Sequence, residues 1–313
     1  MVLGAVSLVD PDDDATSARP VEGLVLPVDL AMGPRGDIAI AAAGGVAEGS
    51  ARVLHPEAPA ACHGAPGLAA PAARYTAVQR LETGYAFLAR DPSALVVVDD
   101  DGSTWSVPLG GRGVYDTSHA LYHDATGAGL ACASCHPEGE DDGITWHFKR
   151  EGRVRTPTLR GGLVAPFHWR GELPDLGALM TEVMTARMQG PRLDEAEVAR
   201  FGGWLNTLPA LDADVLDAEA AERGAGLFAR AGCTACHLNG SDADGLSHDV
   251  GTGGSFQTPA LRGVAQRLPL MHDGCAATFA DRFRPDCGGA SHGVTDNLTP
   301  PERADLVAYL RSL

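Results

Sequence analysis

The pentad Cys-x-x-Cys-His occurs twice, as Cys132-Ala133-Ser134-Cys135-His136 and as Cys233-Thr234-Ala235-Cys236-His237. No other feature constrains the fold as tightly. Covalent attachment of a c-type haem needs two thiols on one side of a short helical turn, with the following imidazole placed beneath the iron. One pentad alone has a lesser alternative, a redox dithiol or half of a zinc site that happens to precede a histidine. Two copies point to two covalently bound haem c groups, with His136 and His237 as proximal ligands of the iron.

The surroundings repeat with the pentads. Leu121-Tyr122 and Leu227-Phe228 precede them, and Thr156-Pro157-Thr158-Leu159-Arg160-Gly161 and Thr258-Pro259-Ala260-Leu261-Arg262-Gly263 follow. Next come Pro166-Phe167-His168-Trp169-Arg170-Gly171 and Pro269-Leu270-Met271-His272-Asp273-Gly274. Each unit closes on an amphipathic helix pattern, near Glu195 to Leu208 with Val198, Phe201, Trp204 and Leu205 on one stripe, and near Pro301 to Leu313 with Leu306, Val307, Tyr309 and Leu310. The period is domain-sized, roughly a hundred residues, rather than that of a solenoid.

Residues 21 to about 110 follow a different pattern, with short alternating runs broken by turns. Ala94-Leu95-Val96-Val97-Val98, the turn Asp99-Asp100-Asp101-Gly102 and Thr104-Trp105-Ser106-Val107 read as a hairpin. The phrase Val28-Asp29-Leu30-Ala31-Met32-Gly33-Pro34-Arg35-Gly36-Asp37 looks like propeller-blade sequence. The region therefore reads as part of a truncated β-propeller, or as a small antiparallel sheet of its own. The expected organisation is two haem-bearing units, 111–212 and 213–313, preceded by a β-rich, propeller-like fragment, 1–110.

A formal charge of −17 argues against nucleic acid and anionic lipid as partners. No run of apolar residues approaches the ~18 to 20 needed for a membrane span. Bacterial haem attachment to this pentad takes place outside the cytoplasm, which predicts a periplasmic or otherwise exported protein. Residues 1 to 20 nevertheless run into Asp12-Asp13-Asp14 without a basic, apolar signal, so the natural start is expected to lie upstream. In an oxidising compartment Cys275 and Cys287 are expected to form a disulfide, while Cys62, beside His63, has no evident partner.

From about Val114 to Leu313 the chain resembles the bacterial di-haem cytochrome c peroxidase family, which includes the di-haem enzymes of methylamine dehydrogenase maturation. The resemblance rests on Leu130-Ala131-Cys132-Ala133-Ser134-Cys135-His136, Arg155-Thr156-Pro157-Thr158-Leu159, Phe167-His168-Trp169-Arg170-Gly171, Phe256-Gln257-Thr258-Pro259-Ala260-Leu261-Arg262 and Pro269 to Gly274. It implies a mainly α fold class, with two class-I cytochrome c-like helical domains over 111–212 and 213–313, and reduction of hydrogen peroxide at the first haem with electrons entering at the second, donated by a small cytochrome c or copper protein. It carries over His147 as a distal histidine of the first haem and Trp169 as the tryptophan between the haems. The family's distal glutamate falls where this chain has Met188-Gln189-Gly190, and Glu182 is the nearest carboxylate. The asparagine that helps bind calcium is missing from Arg155-Thr156-Pro157, which puts calcium in doubt.

For the second haem the family supplies a methionine or a tyrosine before the last helix. Here His292 stands in that stretch and Met271 competes with it. Arg160 and Arg262 are candidate partners of the haem carboxylates, with surface ion pairs as the alternative. Two other functions stay open: a di-haem oxidase of an organic or protein substrate, and a non-catalytic electron-transfer cytochrome whose propeller only docks a partner.

Overall fold

The structure is a computed structural model that describes residues 4–9, 16–21, 24–44, 51–54, 70–90, 92–110, 116–149, 151–240 and 242–313. Cys62 and His63 lie outside the described residues. Contacts divide the chain into two units, one of residues 1–134 with 186–191 and one of residues 135–185 with 192–313.

The first unit is built on three antiparallel sheets: β1 (Gly4–Val9) with β2 (Thr16–Val21), β3 (Pro27–Met32) with β4 (Ile38–Ala42) and β5 (Ala51–Leu54), and β6 (Tyr75–Arg80), β7 (Tyr85–Arg90), β8 (Ser93–Val98) and β9 (Thr104–Pro108). Glycines at positive φ close the tight turns, Gly36 between β3 and β4 and Gly102 between β8 and β9. The expected hairpin over 94–107 is present as β8–β9, with Val98 opposite Thr104.

Period-two alternation makes β4 a shared layer. Ala39 and Ala41 face a core with Tyr75, Tyr85, Phe87 and Val98. Ile38, Ile40 and Ala42 face a second core with Val21 and Leu24. The small side chains on one face of β4 leave room for the aromatic rings opposite, of which Tyr75 and Phe87 meet edge to face at 5.5 Å. Buried Asp37 accepts a hydrogen bond from the Tyr85 hydroxyl. Three stacked sheets replace the single small sheet that was one reading of this region. The described strands do not close a ring.

The second unit contains most of both sequence repeats. In the first repeat, helix α1 (Thr117–His123), which falls in the first unit, precedes the pentad, and β10 (Thr145–Phe148) pairs with β11 (Gly152–Arg155). A short helix α2 (Leu176–Leu179) runs into a π-helical stretch, Met180–Arg187, and α3 (Glu195–Leu205) follows. In the second repeat, α4 (Ala218–Arg230) leads into the pentad, then β12 (His237–Leu238) pairs with β13 (Asp242–Ala243) and β14 (Ser247–Asp249) with β15 (Ser255–Gln257), before α5 (Pro300–Arg311). Both closing helices carry capping boxes, Asp194 with Glu197 and Thr299 with Glu302, which fix where the amphipathic patterns begin. Leu227 and Phe228 of α4 pack on Leu306 of α5, with Leu298 completing the cluster.

The unit is less helical than expected, because the Gly- and Pro-rich segments between pentad and closing helix fold as hairpins and turns. No helix among the described residues is long and apolar enough to cross a membrane.

The two repeats grip each other reciprocally. Arg155 and Gln257 precede the two Thr-Pro elements, while Trp169 and His272 occupy equivalent places in the two Pro-led elements. The backbone N–H of Gln257 donates to the Trp169 carbonyl at 2.7 Å, and that of Arg155 donates to the His272 carbonyl at 2.7 Å. Both Pro-led elements follow a cis peptide, Ala165–Pro166 and Leu268–Pro269, and both close on an isolated antiparallel bridge, Phe167 with Leu173 and Leu270 with Ala276. An approximate two-fold thus relates the repeats, and the Trp169 and His272 rings meet near it at 6.4 Å, edge to face.

Candidate haem site

Helix α4 ends at Arg230, and Gly232, at φ 80°, turns the chain into the 3-10 turn Cys233–Ala235. That turn presents Cys233 and Cys236 to one cavity of about 460 Å³, which His237, His292 and Met271 also line. The size lies within the range of about 300 to 1,000 Å³ common for cofactor pockets. Burial raises both thiols above their ordinary range, so neither is a ready thiolate.

His237 is buried, and desolvation pushes its pKa down to about 4, which keeps the imidazole neutral and able to bind a metal. Its Nδ1 makes no hydrogen bond of good geometry, although the Pro259 carbonyl lies near enough to favour a proton on the ring. The same relation recurs in the first repeat, where the Pro157 carbonyl acts on the His136 ring and burial lowers that histidine. The Thr-Pro elements that repeat in sequence therefore put a carbonyl beside each proximal histidine. Such an outer partner fixes which ring nitrogen is left for the metal.

The His292 ring faces His237 with centroids 6.3 Å apart and planes inclined by 35°. Two metal–imidazole bonds of about 2.0 to 2.1 Å hold the nitrogens about 4 Å apart and the ring centroids about 6 Å apart when the rings oppose each other. The pair thus has the spacing that one metal ion between them requires. His292 Nδ1 is sealed from solvent without a hydrogen-bond partner, and desolvation pushes the ring down to about 3. The residues fit a haem whose iron lies between His237 and His292.

His292 is carried by a loop pinned at both ends. Cys275 and Cys287 form the expected disulfide, with Cα atoms 5.7 Å apart, and Val294 N–H donates to the Ala231 carbonyl at 2.9 Å. Met271, at φ 73° in the Pro-led element, lines the same cavity.

Trp169 also lines the cavity, and its indole N–H donates to the Arg155 carbonyl at 2.7 Å. His272 stacks on Phe256 at 3.7 Å, so Trp169, His272 and Phe256 form one run of rings at the junction of the repeats.

The cavity is lined by the second pentad and not by the first. Among the candidates for the first haem, His147 is exposed on β10, where its neighbour Trp146 donates its indole N–H to Asp142 and Thr156. Gln189 is exposed at φ 57°, and its carbonyl accepts from Gly127 N–H at 3.2 Å. Glu182 is partly buried in the π-helical stretch.

Arg160 lines the cavity but is engaged by Glu140 at 3.1 Å and by the Pro209 carbonyl at 2.6 Å. Arg262 pairs with Asp242 and donates to the Gly161 carbonyl, and it is not among the cavity residues. The surface ion pair, the alternative reading, describes Arg262. Sequence reasoning passed over three further cavity arginines, Arg155, Arg267 and Arg282. Arg155 is buried against Asp141 at 2.8 Å, and burial lowers Arg267 and Arg282 to about 10 each. Nothing in the local sequence marks the three as facing inward.

Residues 221–313 match the family described as Cytochrome c. The second unit contains a cytochrome c domain. That domain carries the second pentad, so the chain holds covalently bound haem c. A cytochrome-c peroxidase, IdrP1, of Denitromonas iodatirespirans is 40% identical over 67 residues, which make up 19% of this chain and 18% of the relative. The match therefore spans less than a fifth of that protein. Among solved structures, hydrazine synthase of Kuenenia stuttgartiensis superposes with a TM-score of 0.55 at 21% identity, over 67% of this chain and 96% of that one. A MauG-like protein associated with microbial copper homeostasis gives a TM-score of 0.48 at 21% identity, over 63% and 86%. The hydrazine synthase likeness is one of fold.

Proposed function

We propose that the chain is an exported di-haem c-type oxidoreductase that reduces hydrogen peroxide at the first haem with electrons that enter at the second. The observation that carries this reading is the opposed His237–His292 pair at 6.3 Å. An iron bound by both His237 and His292 would have no free position for a substrate, which would leave the second haem the role of electron entry and the first the chemistry. Partial likeness to a cytochrome-c peroxidase supports peroxide as the oxidant. The Cys275–Cys287 disulfide suits an oxidising, extracytoplasmic compartment.

Bound haem supplies one-electron redox chemistry at each iron. The protein contributes the rest. Cys132, Cys135, Cys233 and Cys236 would hold the two groups, and His136 and His237 would each supply an imidazole, with the Pro157 and Pro259 carbonyls beside the rings. Trp169, tied to Arg155 and ringed by His272, bridges the repeats. The overall reaction consumes one peroxide, two electrons and two protons and yields two waters. The electrons come from a small cytochrome or copper protein.

The second reading, an electron carrier, draws on the exposure of Gln189 at the place of the family's distal carboxylate. The test is peroxide consumption by the half-reduced holoprotein. Peroxide-dependent oxidation of an added reduced cytochrome or copper protein is expected. No turnover, with both irons six-coordinate, would contradict the peroxidase reading and favour the carrier.

A further inference from the structure

Arg282 sits in the 3-10 turn Ala280–Phe283 and is buried, at 9% exposure. A buried guanidinium normally meets a carboxylate. This one has no carboxylate within ion-pair distance among the described residues. The charged form of the Cys233 thiol is the one anionic influence on it, and a thioether would abolish that influence. What the guanidinium does meet is backbone. One terminal nitrogen donates to the Gly289 carbonyl at 3.1 Å, and the other donates to the carbonyl of His292 itself. The Phe283 ring covers it at 5.6 Å. The loop that carries these carbonyls turns through Gly288 at φ 99°, Gly289 at φ 43° and, beyond His292, Gly293 at φ 90°. Glycines at positive φ on both sides of His292 give the loop little rigidity of its own. Its ends are fixed at Cys287 and Val294, and Arg282 ties down the stretch between them.

We propose that Arg282 is a positioning residue for the second haem, holding the His292 loop by two carbonyls and setting a positive charge beside the His237–His292 pair. This rests on the His/His reading of that haem. A fork of two donors fixes the height and tilt of the imidazole, since the bonded carbonyl belongs to the ligand residue. The charge acts separately. In a medium of low polarity it disfavours the more positive, oxidised iron, so its removal shifts the midpoint potential downward.

The experiment is spectroelectrochemistry with electron paramagnetic resonance on the full-length holoprotein, comparing wild type with Arg282→Gln, Arg282→Lys and His292→Ala. Arg282→Gln is expected to shift the second haem to a more negative potential and to move a majority of it from low-spin to high-spin. Arg282→Lys keeps the charge without the fork. It is expected to hold a near-wild-type potential while part of the second haem still turns high-spin, and it decides the matter if Arg282→Gln does not accumulate as holoprotein. Wild-type spectrum and potential in Arg282→Gln would overturn the proposal, as would a fully low-spin Arg282→Lys. A His292→Ala protein that keeps the low-spin signal would instead overturn the His/His reading beneath it, which separates the two failures.

Discussion

Replacing His292 by Ala is expected to convert the second haem of the oxidised holoprotein almost completely from low-spin to high-spin, leaving the signal of the first haem unchanged. The expectation follows from the 6.3 Å spacing of the His237 and His292 rings and from the pinning of the His292 loop by the Cys275–Cys287 disulfide. Alanine leaves the proximal side intact and opens the opposite one. Met271 lines the same cavity, so Met271→Ala is the matched control and is expected to keep the low-spin signal. The converse pattern, no change with His292→Ala and loss with Met271→Ala, would assign the methionine as the ligand. Electron paramagnetic resonance at low temperature reads both variants directly.

Trp169→Phe is expected to lower peroxide turnover by tenfold or more while both haems keep their spectra, a loss of about 1.4 kcal/mol or more in the transfer barrier. Trp169 touches the structure twice in ways phenylalanine cannot copy. Its indole N–H donates to the Arg155 carbonyl at 2.7 Å, and its larger ring reaches the edge of His272 at the junction of the repeats. Losing the hydrogen bond costs about 1 kcal/mol of stability, too little to unfold a domain. Stopped-flow oxidation of the half-reduced protein by peroxide isolates the transfer between haems. Equal rates in wild type and variant would remove Trp169 from the route.

The parts of the site visible in the sequence were those set by local chemistry. The pentads, the paired Thr-Pro elements, the closing helices and the cysteine pair at 275 and 287 each need only neighbouring residues to be recognised. What escaped notice depends on how the repeats meet. The reciprocal bonds from Arg155 to His272 and from Gln257 to Trp169 join residues far apart in sequence, and most of both repeats falls in one unit.

The inward turn of Arg155, Arg267 and Arg282 is of the same kind. Arginine is a surface residue by default, and only the assembled cavity shows otherwise. His147 stands exposed on β10 opposite Arg153, a register that the count of residues before Arg155 does not give. In the β region, alternation predicted strands correctly, while the stacking of three sheets through the alanine face and the isoleucine face of β4 needed the cores to be seen.

The central claim is that one chain binds two haems, each through its own pentad, and the most direct test is the intact mass of the protein. Expressed with an export signal in a host competent for cytochrome c maturation, wild type is expected to carry the mass of two haems after denaturation. Cys233→Ala combined with Cys236→Ala should carry one. A wild-type mass corresponding to a single haem, or to none, under conditions where a control cytochrome c is fully matured, would contradict the account.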